Sequence, residues 1–248
     1  MTRTPLISPA NADLSGKSML ITGASKGLGN ATAIHFSMAG CSKIALAARS
    51  PLSGVEKEVR AAAVAAGRAE PQILSLSVDV NSEESLREAA GTVSQAFGGS
   101  LDMLITNAGY SDEWEPIAQS DPSRWYFMPQ VLESSLKTFM TLSSIGAHHI
   151  FPGASAYQTT KFAICRLVAI AIHPGGVKTD LAMKMPEQLR KNLIDTPELA
   201  ADAMVWLAKE RREWLAGRYF SCNWDVKELE GRKDEIVEND LLKFRLRI

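Results

Sequence analysis

Short apolar, β-branched runs alternate with helical patterns along almost the whole chain, and that alternation limits the fold more than any other feature. The runs SMLITGA (18–24), KIALAAR (43–49), QILSLSVDV (72–80), LDMLITNAG (101–109), LKTFMTLSS (136–144), VAIAIHPGG (168–176) and GRYFSC (217–222) read as strands. Between them, 27–40 and 53–67 read as helices closed by Gly40 and Gly67. A third helix is expected from an Asn81 cap to about Phe97, with Glu84 completing a capping box. Thr196-Pro197-Glu198 marks a helix start leading to about Lys209. Strand and helix in strict alternation imply parallel pairing with right-handed crossovers, and near-continuous apolar strands imply helices on both sheet faces. The expectation is a single α/β domain, a doubly wound parallel sheet spanning 1–248, with its ligand crevice at the carboxyl ends of the strands. A Pro-broken N-terminal arm (1–16) precedes it and a charge-rich, helical tail (224–248) follows.

Composition removes several function classes. A formal net charge of −1 gives no bulk attraction to nucleic acid or anionic lipid. No run approaches the ~18 apolar residues of a membrane span, and the polar N-terminus lacks a signal-peptide core. Cys41, Cys165 and Cys222 are odd in number and without metal spacing, so they read as buried thiols of a reducing compartment. A soluble, cytoplasmic protein is expected, without metal, nucleic-acid or membrane partners.

The stretch TGASKGLG (22–29) joins the first strand to the first helix. Glycines there permit a tight turn and let backbone N–H groups approach a pyrophosphate, to which the helix N-terminus adds partial positive charge. A plain tight turn is the bland alternative; placement after a buried first strand favours the dinucleotide. An acidic residue ending the second strand would bind the ribose hydroxyls of NAD and repel a 2′-phosphate. This strand ends Ala47-Ala48-Arg49-Ser50, and Lys26 lies in the loop. Two cations and no carboxylate favour NADP(H) over NAD.

These features, with Asp79-Val80, the NAG of 107–109, Ser144, Tyr157-x-x-x-Lys161 and PGGVKTD at 174–180, resemble the short-chain dehydrogenase/reductase family, in the family's order and over nearly the whole chain. The resemblance implies a Rossmann fold and places Gly23, Ser25, Lys26, Gly27, Leu28, Gly29 and Arg49 at the cofactor. It sets Asp79 and Val80 about the adenine, Asn107, Ala108 and Gly109 on the cofactor floor, and Pro174, Gly175, Val177 and Thr179 at the nicotinamide end. Hydride transfer to a carbonyl leaves negative charge on oxygen, and a proton must follow. A tyrosine with a pKa near 10 is a poor base at neutrality, but a nearby ammonium favours the phenolate, so the Tyr157 pKa is expected to fall. Spacing i to i+4 puts Tyr157 and Lys161 on one helix face, and the family gives Lys161 a second bond, to the nicotinamide ribose. Ser144 would orient the substrate oxygen, while strand alternation turns Ser143 to the other face. His148, His149 and His173 read as ordinary loop or structural residues. LAMKMPEQLRKNL (181–193) reads either as an amphipathic helix or, within 181–195, as a lid whose Met183 and Met185 meet an apolar substrate. Trp224 is expected to pack the tail on the core or line a subunit interface.

The chain departs from the family in two places. The helix bearing Tyr157 and Lys161 runs to about Leu167 and the next strand starts at Val168, leaving no turn where two to six residues are usual; on the order of fifteen residues are missing. A second gap falls between Trp125 and Val131, where the family carries a catalytic Asn; no Asn occurs between Asn107 and Asn192. Abrupt loss between intact motifs suits splicing or an imperfect gene model better than gradual decay, and a real inactive variant is the further possibility. The same helices commonly form the family's homo-oligomer interface, so both losses bear on assembly. The reading is an NADP(H)-dependent oxidoreductase interconverting an alcohol and a carbonyl on a small hydrophobic substrate. Its wording is similar to fungal members, many of which serve secondary metabolism. A non-catalytic NADP-binding or scaffold protein is the alternative, and turnover set against cofactor binding separates the two.

Overall fold

A computed structural model describes residues 5–109, 138–149, 154–165 and 169–244. Seven strands form one sheet in which every pairing is parallel: β1 (Ser18–Thr22), β2 (Lys43–Ala48), β3 (Gln72–Ser77), β4 (Met103–Thr106), β5 (Thr138–Leu142), β6 (Ile170–His173) and β7 (Tyr219–Ser221), in the order β3-β2-β1-β4-β5-β6-β7. The order reverses at β1 and β4, which are adjacent in the sheet although β2 and β3 separate them in sequence. That reversal opens the crevice of a doubly wound fold.

The continuous apolar runs are two interleaved sets. Met19, Ile21, Ile44, Leu46, Met103 and Ile105 point into one core, with Phe36, Val59, Met204 and Phe220. Leu20, Ala45, Ala47 and Leu104 point into the other, with Val93 and Phe97. Successive side chains leave a strand on opposite faces, so a strand covered on both sides must be apolar throughout. β3 has only β2 beside it, and none of its residues is fully buried: Gln72, Ser75 and Ser77 are exposed and Ile73, Leu74 and Leu76 half-buried.

Helices α1 (Gly27–Met38), α2 (Ser53–Ala65) and α6 (Pro197–Ala208) serve the first core, and α3 (Glu83–Phe97) serves the second. The short α4 (Ser155–Ile164) carries the Tyr-x-x-x-Lys segment. A single turn, α5 (Glu187–Arg190), and the tail helices α7 (Val226–Gly231) and α8 (Lys233–Glu238) complete the set. α1 and α6 meet through a buried pair, His35 Nδ1 to Asp202 Oδ1 at 2.5 Å.

Four expectations need correction. The cap of α3 is Ser82, whose Oγ accepts from the Ser85 amide at 3.2 Å; the Asn81 amide instead donates to Asp79 Oδ1, so the Asn81–Glu84 box does not form. Segment 181–193 is not one helix: Pro186 has no N–H, Met185 is extended before it, and only a 3₁₀ turn (Ala182–Lys184) and α5 remain. Every strand is shorter than its apolar run: β2 stops at Ala48 before the exposed Arg49, and β3 at Ser77 before the buried Val78. α4 ends at Ile164 and β6 begins at Ile170, so five residues separate them, a connection of ordinary length where none was expected. Of those five, 166–168 lie outside the described residues, as does the whole Trp125–Val131 region.

Candidate active site

The glycine loop is shaped by backbone that side chains would block. Gly23 has φ +68° and Gly27 φ +58°. A Cβ on Gly29 would lie 2.2 Å from the Gly23 carbonyl oxygen, so only glycine lets the start of α1 sit on the turn. Asn107 braces the loop from β4: its Nδ2 donates to the Thr22 and Gly23 carbonyls at 2.9 and 3.2 Å. The Asn107 and Ala108 amides donate to Thr22 Oγ1 at 3.2 and 3.0 Å. Thr22, which the sequence offered only as the first letter of the loop, ties the two halves of the crevice together. Leu28 rests on the first core and Val80 on the second, while Ser25 is partly exposed. Asp79 holds the turn after β3 through Asn81.

Arg49 is exposed at the end of β2 and has no ion pair among the described residues. Lys26 does not share that freedom; it forms an ion pair with Asp180 across the crevice. Beneath that pair, a Cβ on Gly27 would lie 3.6 Å from the Thr179 methyl, so the glycine loop and the PGGVKTD segment meet face to face. That segment leaves β6 through Pro174 and Gly175, whose φ is +91°. The Asp195 carboxylate accepts from the Gly176 amide at 2.7 Å, and the Asp195 amide donates to the Gly176 carbonyl. Val177 is buried and pairs with Asp195, so the segment is anchored by a residue that no local motif marks. Gly109 faces Leu181, 3.7 Å from where its Cβ would be.

Three consecutive residues at the end of β5 hold α4. The Leu142 carbonyl accepts from Lys161 Nζ at 2.5 Å. Ser143 Oγ donates to the Lys161 carbonyl at 3.0 Å and lies 3.0 Å from Cys165 Sγ. Ser144 hydrogen-bonds Tyr157 and accepts from the Gly146 amide at 3.0 Å. Strand alternation predicts this division: Ser143 turns back under the helix and Ser144 forward into the crevice. Gly146 completes the contact, its Cβ position 3.4 Å from the Tyr157 ring. Ser144, Tyr157 and Lys161 are therefore brought together as the sequence expects.

The electrostatics differ from expectation. Burial pushes the Tyr157 hydroxyl above its ordinary range, and the bond to Ser144 offsets only part of that. The Lys161 amine lies over the Tyr157 ring, 5.7 Å from its centroid, bonded to a backbone carbonyl. Burial lowers the Lys161 ammonium to about 8, a shift its neighbour Cys165 partly opposes. The expected fall of the Tyr157 pKa is thus replaced by a rise, because desolvation outweighs the hydrogen bond with Ser144.

Outside this group, His148 stacks edge-on against Tyr219, with ring centroids 4.3 Å apart, and lies 4.6 Å from Phe244. Trp224 packs on Tyr219 and Phe220 of β7 and stays about one-third exposed. The three cysteines are free and buried. Among the described residues no helix is long and apolar enough to cross a membrane, and no group of three metal-ligating side chains occurs.

A doubly wound parallel sheet with a braced glycine turn at its switch point is the architecture of a dinucleotide-binding domain. The comparisons carry this to a family. Residues 17–137 match the family model described as short chain dehydrogenase. The chain is 44% identical over 271 aligned positions to Short chain dehydrogenase mpl6 of Monascus purpureus, covering 98% of this chain and 92% of that one. It is 39% identical to Short chain dehydrogenase pigC of Monascus ruber, over 97% and 90%. Among solved structures it is similar in fold to carveol dehydrogenase from Mycobacterium avium in complex with NAD, with a TM-score of 0.65, 18% identity, and 85% and 97% coverage. The chain belongs to the short-chain dehydrogenase/reductase family, whose members use a nicotinamide cofactor and small-molecule substrates.

Proposed function

We propose that this chain is an NADP(H)-dependent oxidoreductase that interconverts an alcohol and a carbonyl on a small hydrophobic substrate, in a secondary-metabolite pathway of the cytoplasm. The observation that carries the chemistry is the engagement of α4 by Leu142, Ser143 and Ser144 in succession, which brings Ser144 and Tyr157 into one hydrogen bond above Lys161. Gly23, Ser25, Gly27, Leu28 and Gly29 would cradle the pyrophosphate, with Asn107, Ala108 and Gly109 on the floor and Asp79 and Val80 at the adenine. Pro174, Gly175, Val177 and Thr179 would border the nicotinamide. The fit is supported by the clash that any side chain on Gly29 would make, since the cradle is kept clear of Cβ atoms. Exposed Arg49 supports the 2′-phosphate, with Lys26 able to join it on leaving Asp180.

When bound, the reduced cofactor supplies a hydride to the carbonyl carbon. Tyr157 donates the proton that the resulting oxygen needs; its raised pKa keeps the hydroxyl protonated at neutral pH, as a donor requires. Ser144 accepts from the Gly146 amide, which fixes its oxygen, and its one hydrogen, directed at Tyr157 here, would turn to orient the substrate oxygen once that is bound. Lys161, charged below about pH 8, stabilises the phenolate that Tyr157 becomes. Segment 181–195 would close over the substrate, with Met183 largely exposed on it.

The absent Asn supports a second reading, a non-catalytic NADP-binding or scaffold protein. The alignment with the mpl6 relative runs 271 positions against the 248 residues here, 23 more than this chain contains, which supports internal segments lacking a counterpart and places homo-oligomer formation among the things to measure. NADPH oxidation with a panel of apolar ketones and aldehydes decides between the readings. Turnover is expected, falling about 10²–10⁴-fold in Tyr157→Phe with cofactor affinity retained. Cofactor binding without turnover of any panel member would leave the scaffold reading standing.

A further inference from the structure

β5 and β6 run parallel, and the Ser143 amide donates to the Ile172 carbonyl at 2.7 Å. The next rung of a parallel ladder would run from the Ile145 amide to the Pro174 carbonyl. It is not made, because the chain turns away at Pro174 and Gly175, where φ is +91°. The Ile145 amide donates instead to Nδ1 of His173, at 3.2 Å. Ile145 is 47% exposed, so its own burial does little to fix it, although Gly146 behind it is buried. The turn that follows Ser144 is closed on itself, by the Gly146 amide on Ser144 Oγ and by the Ala147 and His148 amides on the Ser144 and Ile145 carbonyls, and the His173 ring is what ties its first amide to β6.

We infer that His173 is a positioning residue for the reaction, its Nδ1 serving as the surrogate carbonyl that fixes the Ser144 turn against Tyr157. An imidazole accepts at Nδ1 only when neutral, with its hydrogen on Nε2. Burial and the neighbouring His148 hold His173 neutral, at about 4, against the opposing pull of Asp195, and the ring stacks on Tyr219 with centroids 6.4 Å apart. Loss of the acceptor would let Ser144 swing relative to Tyr157 while leaving the cofactor cradle untouched. This rests on Ser144 and Tyr157 being the reacting pair.

The test compares His173→Leu, which keeps bulk without an acceptor, with His173→Asn, whose Oδ1 sits the same number of bonds from Cα as Nδ1. In the Leu variant kcat is expected to fall about tenfold to a hundredfold, with cofactor affinity within about twofold of wild type; the Asn variant should recover most of the loss. Amide exchange at Ile145 should be slow in the wild type and the Asn variant and fast in the Leu variant. Wild-type kcat in the Leu variant with Ile145 still protected, or equal losses in both variants, would overturn the inference. If Tyr157→Phe leaves turnover intact, the catalytic assignment fails on its own, and exchange at Ile145 still decides whether His173 holds the turn.

Discussion

Arg49 and Lys26 both looked like receptors for a 2′-phosphate in the sequence, yet they are placed differently. Arg49 stands open at the end of β2, while Lys26 spends its charge on Asp180, more than a hundred residues away in the chain. Cofactor choice should therefore depend on Arg49 first. Arg49→Glu is expected to reverse the preference from NADPH to NADH by repelling the phosphate and accepting from the ribose hydroxyls, read as the ratio of kcat/KM for the two cofactors. Asp180→Asn should act oppositely, tightening NADPH about two- to fivefold at low salt and less at high salt, because an exposed pair is weak and screened. An Arg49→Glu variant that still prefers NADPH would contradict this ordering. No spacing rule could have shown the Lys26–Asp180 pair; it exists because the crevice folds two loops onto one another.

At the scale of elements, the sheet was legible because strands covered on both faces must be apolar throughout, and seven such runs have few other uses. Element ends were not legible, since Asn81 and Ser82 are equally able caps and only the Asp79 carboxylate, by taking the Asn81 amide, decides between them. The Ser143–Ser144 division followed from alternation alone. The bond from Ile145 to His173 needed the strand register, which local pattern does not supply. The junction of α1 with the glycine turn is the most tightly fitted of these connections. Gly29→Ala would drive a methyl into the Gly23 carbonyl and cost about 2 kcal/mol or more, read as a lower urea midpoint, with cofactor binding weakened at least tenfold. A variant with wild-type stability and affinity would mean that the turn yields more easily than its 2.2 Å approach implies.

For the whole molecule, the question is whether an α4 of 10 residues closes a working domain. One core runs the width of the sheet to β7, the other face carries a larger cluster under α3 and a smaller one joining α4 to β6 and β7, and the His35–Asp202 pair locks α1 to α6. A single cooperative melt is therefore expected, raised more by NADP⁺ than by NAD⁺, since ligand bound only to the folded state stabilises it in proportion to its affinity. A broad, cofactor-insensitive melt would argue that the cradle is not held together. One arrangement has a further meaning for how the protein comes into being. His148, four residues beyond Ser144, rests against Tyr219 and Phe244, which a ribosome adds much later. The wall beside Ser144 therefore stays unfinished until Phe244 has been added, and α1 in turn waits for α6 to cover it. Both the first core and the Ser144 wall are thus completed from the far side of the sequence, so neither can be finished while only the first half of the chain has been made.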